Sequence, residues 1–167
     1  LDKIAKQTFR ASEIVNSLLN FSRTGPRRFE QVDLSRVIRE TLTLLEHQLT
    51  KAGIEVRLDL EEPLPEIRGN ASQLQQVFMN LFLNARDAMQ HGGLLQIRAW
   101  RTEHGVAVEV ADTGEGIAPE HLLHVFERFY RGDAARRRDQ SGSGIGLTIS
   151  KAIVDAQSHP TQHERTD

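Results

Sequence analysis

The stretch "SGSGIGLTIS", Ser141–Ser150, places a glycine at every second position and then continues as an apolar helical pattern. Backbone N–H groups at the start of a helix carry partial positive charge, so such a run can hold a phosphate. A flexible turn is the alternative. No Lys-Ser or Lys-Thr pair lies in the loop, and it does not open a βαβ unit, which excludes a Walker-type P-loop and a dinucleotide fingerprint. Other motifs must therefore distinguish a phosphate site from a turn.

The composition is that of a globular domain without cysteine chemistry. The chain has 167 residues, of which 38% are hydrophobic and 26% charged, and this favours a folded core over global disorder. A net charge of -2 gives no support to a nucleic-acid or membrane-surface protein, and the absence of cysteine excludes disulfides. No apolar run approaches the roughly 20 residues of a membrane span, and no signal-peptide core is present. We expect a soluble, cytoplasmic domain that itself contacts neither nucleic acid nor membrane; a membrane anchor elsewhere in the intact protein is left open.

Hydrophobic periodicity predicts helices that alternate with strands. Asp33 and Asn70 are candidate N-caps of two amphipathic helices, which end at Gly53 and at Gly92-Gly93. Strands are expected at Ile54–Leu60, Leu94–Trp100 and Val106–Asp112, the last two joined by a hairpin around His104-Gly105, and a turn region is expected over Glu61–Gly69. Further helices are expected at Leu1–Arg23, near Leu122–Glu127 and after Gly146. This order predicts an α+β fold, a two-layer sandwich with helices on one face of a mixed β-sheet.

Two asparagines stand out in the helix that follows Asn70. Asn80 and Asn84 are four residues apart and therefore share a face. Asparagine forms helices poorly, whereas its carbonyl oxygen suits Mg²⁺ and its NH₂ group can donate to phosphate. A solvated helix face is the alternative. The same polar stripe holds Gln73, Gln76, Asp87 and His91, and the opposite, core-facing stripe holds Leu74, Val77, Phe78, Leu81, Ala85 and Ala88.

The stretch "DTGEGI", Asp112–Ile117, follows directly on a predicted strand. An acidic side chain at a strand end can accept a hydrogen bond from an exocyclic amino group such as that of adenine. Gly114 and Gly116 would allow a flat group to approach the backbone closely. A surface turn is the alternative, because Asp-Thr-Gly sequences form turns readily.

Taken in order, the three motifs resemble the ATP-binding domain of sensor histidine kinases. Asn-x-x-x-Asn lies on a helix, Asp-x-Gly-x-Gly follows a strand, and Gly-x-Gly-x-Gly precedes a helix. Between the last two, "FERFYRGD" matches that family's phenylalanine box, which separates it from the gyrase, mismatch-repair and heat-shock ATPases of the same Bergerat-type fold. "NARDAM" resembles the nitrogen-regulation subgroup, and "IVNSLLNFSR" looks like the second helix of the dimerisation and phosphoacceptor hairpin. The resemblance covers about Leu1 to Ala156.

The resemblance implies a role for each matching residue. Asn84 would coordinate the Mg²⁺ that bridges the phosphates of ATP, and Arg131 would reach the γ-phosphate; these two are the implied catalytic residues. Asp112 would bind the adenine amino group. The last glycines would border the phosphates and hinge a lid over about residues 128–143, which Phe126 and Phe129 would anchor to the body. Nucleotide contacts are implied for Asn80, Asn84, Asp112, Gly114, Gly116, Ile117, Phe126, Phe129, Gly142, Ser143, Gly144, Ile145, Gly146 and Leu147.

The chain departs from the family pattern in three places. None of its seven histidines has an acceptor context, so we expect the phosphoacceptor upstream of Leu1 and no autophosphorylation by this chain alone. Many members carry a lysine where Asp87 stands here, and this acid would be unfavourable near a triphosphate unless it faces metal, water or Arg86. After "KAIVDA" the family continues with a turn and two strands, whereas "QSHPTQHERTD" is polar, so we expect an unprotected sheet edge.

These expectations define a domain plan and three competing functions. Residues 1–24 would be a helix of a dimeric bundle, 25–32 a linker, 33–157 the ATP-binding domain and 158–167 a non-matching tail. The resemblance implies transfer of the ATP γ-phosphate to a histidine and onward to a response regulator receiver domain. A degenerate module that binds nucleotide without catalysis is the first alternative. An ATPase of the wider superfamily is the second, and "FERFYR" argues against it.

Overall fold

The computed structural model describes residues 29–130 and 144–158, and these form one layer of helices packed against one face of a β-sheet. The elements in chain order are β1 (Glu30–Val32), α1 (Leu34–Lys51), β2 (Ile54–Leu60), β3 (Ile67–Gly69), α2 (Ala71–Ala88), β4 (Gly93–Thr102), β5 (Gly105–Asp112), α3 (Pro119–Leu122) and α4 (Gly146–Ser158). The prediction of an α+β fold with helices on a mixed sheet is confirmed. The predicted helix Leu1–Arg23 lies outside the described residues.

The main sheet has the strand order β2-β4-β5. Strands β2 and β4 run parallel, and β4 and β5 form an antiparallel hairpin that pairs Thr102 with Gly105, as the sequence predicted. Along β4 the side chains of Leu95, Ile97 and Ala99 are buried, while the residues between them are more exposed, which is the alternation of a sheet with one covered face. The outer face carries polar side chains such as Arg98.

Helices α1 and α2 begin at the predicted caps. Asp33 accepts a hydrogen bond from the Arg36 backbone at 3.1 Å, and Asn70 accepts one from Gln73 at 3.0 Å. Each cap satisfies a backbone N–H that has no partner within the helix. Helix α2 contacts α1, α4 and β5, so it is the central element of the helical layer. Its side chains are therefore available to several parts of the fold at once.

Two local features differ from the sequence-based prediction. Strands β1 and β3, three residues each, pair antiparallel where a linker end and a turn were expected. The short helix α3 covers Pro119–Leu122 instead of starting near Leu122, because a proline at the first helical position fixes the start. Both elements are too short to show a hydrophobic period.

The core lies between the sheet and helices α1 and α2. Its fully buried side chains include Ile38, Phe82, Leu95 and Ile97. A smaller cluster of Val77, Ile145, Ile149 and Ile153 joins α4 to α2. In the part of the chain that the structure describes, no helix is long and apolar enough to cross a membrane.

Candidate functional site

Helix α2 carries a line of residues that both the glycine run and the Asp-Thr-Gly loop contact. Asn80, Asn84 and Ala88 follow one another at four-residue intervals, so each lies one turn beyond the last on neighbouring parts of one face. The prediction that Ala88 belongs to the opposite, core-facing stripe is therefore wrong, because Ala88 is only half-buried and contacts the loop after β5. The line from the first to the last is about 12 Å long at 1.5 Å per residue. The glycine run contacts one end of this line, and the loop after β5 contacts the other.

Asn80 holds the start of α4. Its side-chain Nδ2 donates to the backbone carbonyl of Gly146 at 3.1 Å and to the Ser150 hydroxyl at 3.3 Å. Ser150 is buried, so these bonds satisfy polar groups that water cannot reach freely. The first turn of α4, with its unpaired backbone N–H groups, is thereby fixed beside α2. Ile145 is buried next to this contact, and Leu147 is half-buried.

Asn84 lies one turn further along α2, and its side chain is exposed. Its amide carbonyl is therefore accessible to a ligand that lies over this face of the helix. Asn80 is committed to the α4 contact, whereas Asn84 remains accessible. The two asparagines that the sequence paired thus have different surroundings.

The Asp-Thr-Gly loop packs on the last turn of α2. A Cβ atom added to Gly114 would lie 2.7 Å from the Ala88 Cβ and 2.9 Å from its carbonyl oxygen. Real Cβ atoms do not approach so closely, so only glycine permits this contact. The Glu115 backbone N–H also faces the Ala88 carbonyl, at 3.4 Å. The loop after β5 is therefore placed at the far end of the asparagine line.

Asp112 is the last residue of β5, and its carboxylate is exposed. Its Oδ1 atom accepts a hydrogen bond from the Gly114 backbone N–H at 2.8 Å. One carboxylate oxygen is thus engaged by the loop itself, which fixes the orientation of the group. Among the described residues, no hydrogen bond engages the other carboxylate oxygen. The neighbouring Gly116 and Ile117 are exposed beside it.

The phenylalanine box contacts the glycine run through its backbone. The Phe129 N–H donates to the Gly144 carbonyl at 2.9 Å, and the Thr148 hydroxyl donates to the Phe126 carbonyl at 2.8 Å. The side chains of Phe126 and Phe129 are 49% and 70% exposed, so neither is a core aromatic. The resemblance implied that these two residues anchor a lid. In the described residues they contact the start of α4 through their main-chain groups, and their rings are exposed.

Gly144 offers a test of this backbone contact. It adopts φ +66°, and an added Cβ would lie 2.8 Å from the Tyr130 carbonyl oxygen and from the Phe129 carbonyl carbon. We expect Gly144→Ala to break the bond from the Phe129 N–H and to speed hydrogen exchange of that amide by about tenfold or more. Gly116→Ala is the matched control, since Gly116 has φ +71° but open space around its Cβ position. Equal exchange at Phe129 in both variants would contradict the contact.

The negative charge of Asp87 is paired with Arg86. The Arg86 Nε and Nη2 atoms donate to its Oδ1 at 2.9 and 2.6 Å, and Arg86 Nη1 donates to the Gln48 side chain on α1. Arg86 is 25% exposed, and the pair is therefore partly shielded from solvent. The sequence analysis named metal, water and Arg86 as partners that would make Asp87 acceptable, and the structure shows Arg86 in contact with it.

Three predicted site residues, Arg131, Gly142 and Ser143, lie outside the described residues. Among those described, sequence reasoning did not identify Ser150, Thr148 and Thr113 as supports of the site. Ser150 lies four residues after Gly146 and therefore on the same face of α4 as Gly146. This spacing is the sequence signal that could have identified Ser150. Thr113 lies within the Asp-Thr-Gly stretch, where only the aspartate and the glycines were given roles, and no pattern marked Thr148.

Comparison with known proteins identifies the family. The family of histidine kinase-, DNA gyrase B- and HSP90-like ATPases matches residues 69–166, more than half of the chain. The chain belongs to this family. Its curated relatives include the sensor histidine kinase ZraS of Escherichia coli K12, 30% identical over 91% of this chain, and the sensor-like histidine kinase SenX3 of Mycobacterium bovis, 35% identical over 92%. The chain corresponds to 31% and 38% of their lengths, so it spans about a third of each.

Solved structures agree with this assignment. The mycobacterial sensor histidine kinase MprB superimposes with a TM-score of 0.66 at 29% identity, over 78% of this chain and 80% of its own. Full-length ShkA, solved in complex with AMPPNP, gives a TM-score of 0.72 at 29% identity, over 86% of this chain and 30% of its own. The α+β architecture of this chain is thus that of the matching parts of these histidine kinases.

Proposed function

We propose that this chain binds Mg-ATP across α2 and acts as the phosphoryl-donor domain of a two-component sensor histidine kinase. In this proposal the adenine lies at Asp112, the phosphates lie at the start of α4, and Asn84 lies between them. The single observation that carries the proposal is that two motifs contact α2: Asn80 donates a hydrogen bond to Gly146, and Gly114 packs closely against Ala88. The relative ShkA was solved with AMPPNP, an ATP analogue, which supports the choice of nucleotide.

The residues present fit a magnesium ion that is shared with the nucleotide. The structure's described part contains no group of three or more His, Cys, Asp or Glu side chains that could hold a metal ion. Mg²⁺ is characteristically bound by one or two protein ligands together with substrate phosphates and water, which matches a lone accessible amide oxygen at Asn84. When bound, the ion would neutralise charge on the phosphates.

The chain's own groups supply position and charge, which is most of what phosphoryl transfer needs. Asp112 would hold the base through its free carboxylate oxygen, and Gly116 and Ile117 would border the base. The backbone N–H groups of Gly146 and Leu147, at the start of α4, would face the phosphates, where the helix dipole favours negative charge. Arg131 would complete the γ-phosphate site.

The partners follow from the same proposal. The γ-phosphate would pass to a histidine on a dimerisation hairpin, of which residues 1–24 would form the second helix and the homodimer contact. A response regulator aspartate would then receive it. The motif "NARDAM" supports placement in the nitrogen-regulation-like subgroup, and the ATPase family match supports ATP as the donor.

A nucleotide-binding module without catalysis is the second candidate, and Asp87 is the observation that favours it. A carboxylate replaces the lysine of many family members, which removes one positive charge near the phosphates. The two hydrogen bonds from Arg86 to one oxygen of that carboxylate neutralise its charge locally, and this lowers its repulsion of a triphosphate. The pairing therefore supports the catalytic proposal over this candidate.

Asn84→Ala tests the proposal by its effect on magnesium dependence. In excess Mg²⁺ we expect the variant to bind ATP about 30-fold more weakly than the parent, because the metal loses its protein ligand. In EDTA the parent and the variant should bind equally weakly. Isothermal titration calorimetry under both conditions gives the four affinities.

Gln31→Ala is the matched control, since it removes an exposed amide side chain from β1, away from the asparagine line. It should leave both affinities unchanged. If Asn84→Ala kept the full magnesium effect, Asn84 would not be the metal ligand. If the folded parent bound no ATP at all, the nucleotide proposal itself would be overturned.

A further inference from the structure

Thr113, between Asp112 and Gly114, is the point at which the chain leaves the sheet. Its backbone N–H donates to the Leu94 carbonyl at 3.2 Å, which continues the β4–β5 ladder one step beyond the pair of Leu95 and Asp112. The return bond is different: the Leu94 N–H donates to the Thr113 side-chain Oγ1 at 3.0 Å. The hydroxyl therefore takes the place that a backbone carbonyl holds in a regular antiparallel pair.

This substitution releases the Thr113 main chain from the sheet. Its carbonyl is no longer required by Leu94, so the next peptide can turn toward α2. The N–H of that peptide, on Gly114, is the group that donates to Asp112 Oδ1 at 2.8 Å. The orientation of the Asp112 carboxylate thus depends on a turn that the threonine hydroxyl makes possible.

The hydroxyl also contacts the end of α2. Its Oγ1 lies 3.8 Å from the Sδ atom of Met89, a side chain that is only 2% exposed. The same oxygen therefore touches β4 and the residue that follows Ala88. A small hydroxyl-bearing side chain satisfies both contacts, whereas valine has the same shape but cannot accept the Leu94 N–H.

We infer that Thr113 is a positioning residue for base recognition, which sets the Asp112 carboxylate for the exocyclic amino group of adenine through the Gly114 N–H. The inference rests on the proposed adenine site. Its consequence is selective: loss of the hydroxyl weakens binding of a base that carries the 6-amino group, and it has little effect on a base without one.

The experiment compares ATP with ITP, whose base carries an oxygen in place of the amino group. Calorimetry in excess Mg²⁺ is carried out on the parent, Thr113→Val, Thr113→Ser and Asp112→Asn. For Thr113→Val we expect about a five- to tenfold loss of ATP affinity, the scale of one well-placed hydrogen bond, and less than about a twofold change for ITP. Thr113→Ser keeps the hydroxyl and should restore the parent's ratio of ATP to ITP affinity.

The outcomes separate the inference from the function on which it rests. Equal losses for ATP and ITP in Thr113→Val, or no restoration by Thr113→Ser, would overturn the positioning role and assign Thr113 to loop stability alone. A parent that binds ATP no better than ITP, with Asp112→Asn unchanged, would overturn the adenine site and the inference with it. A thermal unfolding curve of each variant confirms that folded protein was titrated.

Discussion

Asp112→Asn is expected to weaken ATP binding by at least about 100-fold, because the base site depends on an acceptor that asparagine does not present. Asparagine can keep the bond from the Gly114 N–H through its carbonyl oxygen. Its NH₂ group would then face the adenine amino group, so that two donors meet. The loop is preserved while base recognition is lost.

Calorimetry with Mg-ATP measures this loss directly. Asp59→Asn is the matched control, since it makes the same chemical change on β2, where the carboxylate is 73% exposed and pairs with Arg98 at 3.6 Å on the outer face of the sheet. That variant should bind ATP like the parent. A less than fivefold loss in Asp112→Asn, an effect below about 1 kcal/mol, would show that this carboxylate does not bind the base.

Phe82→Ala is expected to destabilise the domain by about 3–5 kcal/mol, which is the usual cost of removing a buried phenylalanine. The Phe82 side chain is fully buried in the core, and its ring stacks near that of Phe78, with centroids 6.0 Å apart. Its removal leaves a cavity under the helix that carries both asparagines. We therefore expect ATP binding to fall with the folded fraction.

Urea unfolding followed by circular dichroism measures the free energy of unfolding. Phe126→Ala is the control, because the Phe126 ring is 49% exposed and its loss should cost less than about 1 kcal/mol. A cost below about 1 kcal/mol for Phe82→Ala, no larger than that of Phe126→Ala, would contradict the placement of Phe82 in the core.

The sequence predicted the elements that local chemistry dictates. The caps at Asp33 and Asn70 and the β4–β5 hairpin depend on nearby residues, and all were found where expected. Phe82 was absent from the predicted core stripe of α2. The reason is that "VFMNLFL" is apolar around most of the helix, which packs against α1, α4 and the sheet together, so no single stripe describes its buried side.

The rest of the site depends on contacts between distant parts of the chain. The bonds from Asn80 to Gly146 and Ser150 join residues 66 and 70 positions apart, and the bond between Thr113 and Leu94 joins residues 19 apart. A sequence motif gives the types and order of the residues, but it does not show which distant residues they bond to in the fold. The three-residue strands β1 and β3 escaped prediction for the same reason, since each is defined by its pairing alone.

The central claim is that both ends of the asparagine line on α2 belong to one nucleotide site. The most direct measurement is a titration of the ¹⁵N-labelled chain with Mg-ATP, followed through its glycine amides. We predict that Gly114 and Gly116 at the base end, and Gly144 and Gly146 at the phosphate end, shift along one binding curve, while Gly53 and Gly105 stay fixed. Shifts at one end only, or on two different curves, would contradict a single site.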